Sequence, residues 1–177
     1  MKNKLKKQFK EGDVMDFLRE SNAIEGVYSP LALVDAKEAW DFLAEQPELT
    51  APAILETHKI LMKNRNLDES EKGYFRRAPV WIGGHEGLNF LKIPEAIDSW
   101  LLDVETSLKI PGKDGENIRL DHIEYERIHG FIDGNGRTGR MFMNWQRGKV
   151  GLPLLIIHAD WPNDPGEQRS YYSWFKS

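Results

Sequence analysis

Apolar residues recur every three or four positions in several long stretches of the chain, a spacing typical of amphipathic helices. The predicted helices occupy residues 29–46, 50–64, 92–108, 120–129 and 137–149. Ser29 is a suitable N-cap for the first helix, and Pro30 fits its first helical position. Asp121 and Glu124 form a capping-box-like pair near the start of the fourth. The fifth is apolar on nearly every side, which indicates burial, and we expect Gly148 to end it.

The segment between the second and third predicted helices breaks this spacing. Residues 73–87, GYFRRAPVWIGGHEG, contain β-type residues bounded by glycines, which is typical of an exposed hairpin. No internal repeat, low-complexity tract or flexible linker interrupts the chain. The pattern therefore predicts an all-α fold, a helical bundle that carries a small β-hairpin.

Length and composition favour one compact domain without disulfides. The chain has 177 residues, of which 40% are hydrophobic and none is cysteine. No run approaches the roughly 20 apolar residues of a membrane helix. The formal net charge of -4 argues against a nucleic-acid-binding surface, and we interpret the basic run at residues 2–10 as a solvated, frayed end. We expect a cytoplasmic protein that binds neither membranes nor nucleic acids.

The stretch HGFIDGNGRTGR, residues 129–140, concentrates the candidate chemistry. Glycine and asparagine tolerate positive φ, so the DGNG turn before a helix can direct backbone N–H groups at a phosphate. Arg137 and Arg140 are three positions apart, so both guanidinium groups lean toward that anion. Asp133 can share a hard cation such as Mg²⁺ with the phosphates, and His129 is a base for an incoming hydroxyl. These residues indicate group transfer from a nucleotide.

Two other interpretations compete for this stretch. Three of its glycines satisfy the GxGxxG fingerprint of dinucleotide binding, with Asp160 about twenty residues further on. That fingerprint requires a strand before the glycines, and the preceding residues have helical spacing instead. A glycine-rich turn whose histidine and arginines only cap helix ends would not explain why acid, amide and both arginines cluster.

The same stretch matches the signature HxFx(D/E)GNGRxxR, and on it the chain resembles the Fic family. GYFRRAPVWIGG, residues 73–84, resembles the flap of that family, and HIEYERIH, residues 122–129, resembles the helix that leads into the motif. Gly130 stands where proline is common. The resemblance implies a Fic-like helical bundle that transfers AMP from ATP to a Ser, Thr or Tyr hydroxyl of a target protein.

The resemblance also implies roles for individual residues. His129 would be the general base, Asp133 would hold Mg²⁺, and Arg137 and Arg140 would bind the outer phosphates of ATP. The backbone of the turn would form the anion hole, through Gly134, Asn135 and Gly136. The flap would align a target segment by adding a strand to its edge. The flap residues expected to take part are Arg76, Val80 and Ile82.

Family resemblance leaves the reaction open. Doc-like relatives are kinases that transfer the γ-phosphoryl group, and that type resembles a motif with lysine at the third glycine position. Gly136 occupies this position here, which favours AMP transfer. A nucleotide-sensing module without catalysis would share every motif.

The stretch SNAIEG, residues 21–26, indicates regulation. Ser21 and Glu25 are four positions apart, so a helix would place them on one face, and Gly26 is suited to end that helix. A carboxylate at a helix C-terminus gains from a nearby cation. The stretch matches the (S/T)xxxE(G/N) inhibitory motif of the family, which implies pairing with Arg140. We expect an N-terminal segment with an inhibitory helix at residues 1–28 and a Fic core at 29–177.

The remaining histidines receive structural interpretations. His58, His85 and His158 lack metal-ligand spacing and are interpreted as surface or core residues. His122 lies two helical turns before His129 and is expected to pack or hydrogen-bond inside the core. The sequence leaves a homo-oligomer possible and does not identify the target.

Overall fold

The computed structural model describes residues 5–161 and 164–176 of the chain. Within them the helices are α1 (Leu5–Gln8), α2 (Glu11–Ile24), α3 (Pro30–Ala44), α4 (Ala51–Met62), α5 (Ile93–Leu108), α6 (Gly115–Ile128), α7 (Asn135–Lys149) and α8 (Gln168–Ser173). A 3-10 turn at Phe90–Lys92 leads into α5. None of these helices is long and apolar enough to cross a membrane. The predicted all-α class is confirmed.

Helix α7 lies at the centre of the bundle. It contacts α1, α2, α3, α4 and α6, and most of its residues are buried. Phe142 and Trp145 of α7 share the main core with Trp40 of α3 and Trp100 of α5. The predicted burial of this helix is confirmed, but its buried side chains include the polar Asn144 and Gln146, so the expectation that it is apolar on nearly every side is wrong.

Local signals set the starts of α3 and α4. Pro30 occupies the first position of α3, after Ser29 in an extended conformation. Thr50 caps α4, since its hydroxyl accepts from the Ala53 N–H at 3.3 Å. Both predicted helices are confirmed, because caps and apolar spacing act over only a few residues.

The predicted start of α6 near residue 121 is wrong. The helix begins at Gly115, because the side chain of Asp114 accepts from two N–H groups of the first turn, both at 3.0 Å. Asp121 therefore lies inside the helix, where its carboxylate binds Lys113 Nζ at 2.6 Å. Asp121 and Glu124 do not form a capping box.

The predicted C-terminal end of the helix at residues 137–149 is confirmed, since α7 ends at Lys149, one residue beyond Gly148. At Gly148 a Cβ would overlap Leu5. Leu5 is 3% exposed, so the interpretation of residues 2–10 as a solvated end fails for the described part of that run. Residues 2–4 lie outside the described residues. A small residue in α7 and an apolar one in α1 together allow close helix packing.

The predicted hairpin is present as a two-residue ladder. Strand β1 (Trp81–Ile82) pairs antiparallel with β2 (His85–Glu86), with Trp81 opposite Glu86 and Ile82 opposite His85. Gly83 and Gly84 connect the strands with φ angles of 57° and 88°. Two successive positive φ angles match the right-handed twist of a tight hairpin, which explains two glycines at this point.

Candidate active site

His129 stands where α6 ends and the glycine-rich motif begins. Its backbone is left-handed, with φ 47° and ψ 60°, and among the described residues it is the one non-glycine with a positive φ. This conformation costs on the order of 1 kcal/mol or more for a residue with a side chain. Arg76 stabilises it, since Nε donates to the His129 carbonyl at 2.7 Å. His129 lines a cavity of about 740 Å³.

The surroundings of His129 favour a neutral imidazole. Burial lowers its pKa below the ordinary value, an effect partly offset by the main-chain carbonyl of Glu126 and reinforced by the charge of Arg76. The Glu126 carbonyl lies 3.3 Å from Nδ1. A proton on Nδ1 leaves Nε2 with a free lone pair. Such an imidazole can take a proton from a hydroxyl group at neutral pH.

The loop that follows is closed by the side chain of Asn135. Its Oδ1 accepts from the Phe131 N–H and its Nδ2 donates to the Phe131 carbonyl, both at 2.8 Å. Gly134 completes the turn with φ 86°, and a Cβ there would lie 3.1 Å from the sulfur of Met62. The turn therefore needs glycine both for its φ and for its close approach to α4.

The first turn of α7 faces the same cavity. The helix begins at Asn135, and no side chain of the described residues caps it. Its first N–H groups therefore lack intrahelical partners, and the helix dipole adds partial positive charge at this end. Gly136 lines the cavity, so its backbone is accessible from there. This end of α7 is suited to binding a phosphate.

The carboxylate of Asp133 pairs with Arg137. Nη2 of Arg137 lies 3.2 Å and 3.3 Å from the two carboxylate oxygens. The arginine side chain is buried, whereas that of Asp133 is 52% exposed. An exposed carboxylate fits one ligand position of a Mg²⁺ ion whose other ligands are phosphates and water. Among the described residues, no group of three or more acidic, histidine or cysteine side chains could hold a metal ion.

The guanidinium group of Arg140 is buried and bound from three sides. Nε donates to Ser21 Oγ and Nη2 donates to the Ser21 carbonyl, both at 2.9 Å. Nη2 also donates to Glu25 Oε1 at 2.7 Å, and Nη1 donates to Tyr171 Oη at 3.0 Å. Charge-assisted bonds of this length are among the stronger hydrogen bonds in proteins. Arg140 is thus held by the end of α2 and by α8.

Glu25 lies directly over the first turn of α7. Helix α2 ends at Ile24, and Gly26 follows with φ 67°. The carboxylate is so close to Gly136 that a Cβ on that glycine would overlap Oε1. Glu25, Gly136 and His129 line one cavity. The carboxylate therefore occupies the place beside the α7 N-terminus that suits an anion.

The two arginines of the motif have different partners. Arg137 pairs with Asp133, whereas Arg140 pairs with Glu25. The spacing in sequence predicts that both guanidinium groups lean toward one anion. In this structure each is engaged by its own carboxylate, because the end of α2 brings Glu25 to Arg140 from outside the motif.

The three flap residues lie in two different environments. Val80 and Ile82 are half-buried, and a Cβ on Gly87 would lie 3.1 Å and 3.2 Å from their side chains. Arg76 is 3% exposed and donates to three main-chain carbonyl groups at 2.6 to 2.8 Å. Its acceptors belong to His129, Ala78 and Leu88. The Arg76 guanidinium is therefore unavailable to a docking segment, and it ties the flap to the loop of residues 129–134.

Comparison with known proteins agrees with this geometry. Residues 48–146 match the model of the Fic/DOC family. The chain belongs to this family. The curated relatives include "Protein adenylyltransferase Fic" of Drosophila erecta, 34% identical over 159 residues, and that of Drosophila grimshawi, 33% identical over the same length. In both cases the match covers 88% of this Fic chain and 29% of the relative.

Solved structures share the fold of this Fic chain. A Fic-domain-containing signalling protein from Bacteroides thetaiotaomicron has a TM-score of 0.73 at 19% identity, and the match covers 96% of this chain and 72% of that one. Fic-1 from C. elegans has a TM-score of 0.67 at 22% identity and covers 98% and 57%, respectively. These matches confirm the Fic-like bundle expected from the sequence.

Several residues around the Fic motif were not expected at the site. Tyr171 reaches Arg140 from α8, 31 positions along the chain, and no sequence signal marked it. Burial raises the pKa of Glu126, which lines the cavity, to about 8.

Two histidines near the motif have the structural roles predicted from sequence. His122 hydrogen-bonds Tyr171 Oη at 2.9 Å inside the core, as expected. His58 is buried and contacts the Asp133 carbonyl in the loop of residues 129–134, a position consistent with its interpretation as a core histidine.

Proposed function

We propose that this Fic protein is a protein adenylyltransferase that moves AMP from ATP to a Ser, Thr or Tyr hydroxyl of a target protein. The observation that carries this proposal is the placement of His129, whose pKa burial lowers, beside the uncapped N-terminus of α7 in one cavity. Relatives named protein adenylyltransferase support it. Gly136 supports AMP transfer over the kinase alternative, since the kinase type carries lysine at that position.

The reaction needs positioning and charge stabilisation, without a covalent nucleophile. The N–H groups of Gly134, Asn135 and Gly136 and the α7 dipole would hold the phosphates. His129 would take the proton as the target oxygen forms its bond to the α-phosphorus. The bond from that phosphorus to the bridging oxygen breaks, and pyrophosphate leaves. Bound Mg²⁺ would neutralise phosphate charge, with Asp133 as its protein ligand.

The cavity offers a place for the adenine base. Its volume of about 740 Å³ falls within the range of small-molecule sites. Its lining includes the aromatic side chains of Tyr172 and Phe175 near α8 and the aliphatic side chains of Ile82 and Leu88. Aromatic and aliphatic side chains suit a flat purine ring.

Glu25 would act as an autoinhibitor together with Ser21. The carboxylate engages Arg140 and lies over Gly136, so it competes with phosphate for the arginine and for the α7 N-terminus. ATP would then bind with its α-phosphorus out of line with the target hydroxyl. On this proposal residues 1–28 form the inhibitory segment, and residues 29–177 form the Fic core.

The flap would dock the target segment through a strand edge. Ile82 lines the same cavity as His129, so a strand added at the flap would pass close to that histidine. Val80 lies two positions before Ile82 and would flank the docked segment. We expect the protein to act in the cytoplasm, where ATP is available and a chain without cysteines needs no oxidising environment.

Labelled ATP distinguishes the possible functions. Purified protein and its Glu25→Gly variant are incubated with Mg²⁺ and ATP labelled at either the α- or the γ-phosphate. Label on protein from the α position supports adenylyl transfer, and label from the γ position supports a kinase. Nucleotide binding without either label in both proteins supports a sensing module and contradicts the proposal.

A further inference from the structure

His58 connects three parts of the molecule that surround the motif. It lies on α4, is fully buried, and stacks on Phe131 with ring centroids 3.7 Å apart and an interplanar angle of 3°. Stacking on a residue of the loop of residues 129–134 fixes the plane of the imidazole. Both ring nitrogens are then directed at defined main-chain groups.

The two hydrogen bonds of His58 specify one tautomer. Nδ1 accepts from the Gly73 N–H at 2.9 Å, which requires a lone pair on Nδ1. The proton of the neutral ring therefore resides on Nε2, which donates to the carbonyl of Asp133 at 2.9 Å. Burial lowers the pKa of His58, in agreement with the neutral ring that these two hydrogen bonds specify.

The bond to Asp133 acts on the peptide that starts the anion-binding turn. The carbonyl of Asp133 is followed by Gly134, whose φ of 86° turns the chain into α7. A Cβ on Gly134 would lie 3.4 Å from the His58 ring, so the ring also limits the path of this turn. Holding this peptide fixes the root of the Asp133 carboxylate and the direction of the first α7 N–H groups.

The bond to Gly73 ties the same ring to the start of the flap segment. A few residues later the Arg76 N–H donates to the Gly130 carbonyl at 2.9 Å, and its Nε donates to that of His129. Arg76 therefore hydrogen-bonds the His129 end of the loop directly. Gly73 is linked to the Asp133 end through His58.

We propose that His58 is a positioning residue of the Fic reaction. Its Nε2–H holds the Asp133 peptide so that the carboxylate and the α7 N-terminus keep their placement relative to His129. This inference rests on the proposed function for its catalytic consequence, while the hydrogen-bond arrangement is independent of it.

Two amide variants separate the two bonds. The amide of Gln reaches approximately the Nε2 position of histidine, so His58→Gln can still donate to the Asp133 carbonyl. The shorter Asn reaches approximately the Nδ1 position, so His58→Asn can still accept from Gly73 but loses the Asp133 bond. Thr57→Val is the matched control, because Thr57 is buried on the same helix and its hydroxyl donates only to the Ala53 carbonyl of its own helix.

The variants are made in the Glu25→Gly background and tested with α-labelled ATP across a Mg²⁺ titration. We expect His58→Asn to raise the Mg²⁺ concentration for half-maximal transfer about tenfold or more, as loss of an outer-shell hydrogen bond does at other metal sites. His58→Gln should stay within about threefold of its parent, and Thr57→Val should not change the Mg²⁺ requirement. Equal Mg²⁺ requirements in His58→Asn and His58→Gln would overturn the positioning role.

A second measurement does not depend on activity. In ¹⁵N-histidine-labelled protein, the His58 resonances should show a protonated Nε2 and an unprotonated Nδ1 at neutral pH. Calorimetry should show that His58→Asn weakens ATP binding more strongly in the presence of Mg²⁺ than with Mg²⁺ removed, because the Asp133 carboxylate acts through the metal and the α7 N–H groups act in both conditions. An Nδ1-protonated ring, or equal weakening with and without Mg²⁺, contradicts the inference. Absence of α-label transfer by the Glu25→Gly parent, with the expected tautomer, would instead reject the proposed function alone.

Discussion

Arg140 and Glu25 form a partly buried ion pair across 115 positions of the chain, with Nη2 donating to Oε1 at 2.7 Å. The arginine side chain is 1% exposed and the glutamate side chain 33%. The pair therefore joins a residue inside the bundle to one at the edge of the cavity. The Glu25 carboxylate is the more accessible partner of the pair. A nucleotide phosphate can bind the Arg140 guanidinium only if it displaces this carboxylate.

Replacing Glu25 by glycine should raise adenylyl transfer at least tenfold. The change frees Arg140 and the α7 N-terminus for phosphate, and a charge-assisted hydrogen bond of this kind is worth about 1.5 to 3 kcal/mol. Incorporation of α-label measures the gain. The double variant Glu25→Gly with Arg140→Ala should lose most of it, and equal incorporation by wild type and Glu25→Gly would exclude an inhibitory role.

Replacing His129 by alanine should abolish transfer and leave ATP binding largely intact, because a general base acts mainly in the transition state. Burial lowers the pKa of this histidine below the ordinary value of 6.5. In the protein that retains His129, kcat/KM should therefore fall at low pH with a midpoint below 6.5. Single-turnover labelling and calorimetric ATP binding measure the two effects. A variant that keeps near-parental rates shows that another group takes the proton.

Replacing Asp133 by alanine should change the Mg²⁺ dependence of activity. The half-exposed carboxylate is the acidic side chain of the motif that can reach a cation bound to phosphate. Its loss should shift the Mg²⁺ titration to concentrations about tenfold higher or more. Asp98→Ala, on the exposed surface of α5, is the matched control. An unchanged titration removes Asp133 from the metal site.

Local signals account for the parts of the fold that are predictable from sequence. The starts of α3 and α4 are of this kind, because proline and a capping threonine act within one helical turn. The start of α6 is not predictable in this way, because Asp114 caps the helix two turns before the apolar spacing of the helix becomes clear. Gly148 resembles a helix-ending residue in sequence. The structure requires glycine at this position because Leu5 approaches it closely, and that is a tertiary contact.

The candidate site shows the same division. His129, Asp133 and the glycines are neighbours along the chain, so their joint chemistry is evident from sequence alone. Partners from distant elements hold the motif: Arg76 of the flap donates to the His129 carbonyl, and Tyr171 of α8 accepts from Arg140. Long-range hydrogen bonds leave no periodic trace in a single sequence, which explains why sequence indicates a docking role for Arg76 although its side chain is buried.

Replacing Gly139 by alanine should destabilise the protein by about 1 to 3 kcal/mol. A Cβ there would overlap Glu126 Oε1 and lie 2.9 Å from His122 and 3.0 Å from Tyr125. Gly12→Ala is the matched control, since that helical position is open and alanine should stabilise it by up to about 1 kcal/mol. Urea unfolding measures both. Similar free energies of unfolding in the two variants would show that the packing around Gly139 yields easily.

Replacing Glu126 by glutamine should stabilise the protein increasingly as pH rises. Burial raises the pKa of this carboxyl to about 8, an effect that the charge of Arg140 partly offsets, and its Oε1 has no hydrogen-bond partner among the described residues. An unfolded glutamate titrates near 4.3. Between these values the folded protein retains a proton that the unfolded chain releases, so the free energy of unfolding falls as pH rises through this window.

The Glu126→Gln variant does not lose stability through this ionisation. Its free energy of unfolding should therefore exceed that of wild type by an amount that grows from pH 5 to pH 8, by on the order of 1 to 3 kcal/mol. His122 acts in the opposite direction in both proteins. Burial lowers its pKa to about 3, so its contribution to stability is lost as pH falls below about 6.5. Urea unfolding at pH 5, 6.5 and 8 measures the difference, with Glu124→Gln on the exposed face of α6 as control. A difference between Glu126→Gln and wild type that stays constant across these pH values would mean that Glu126 is ionised in the folded protein.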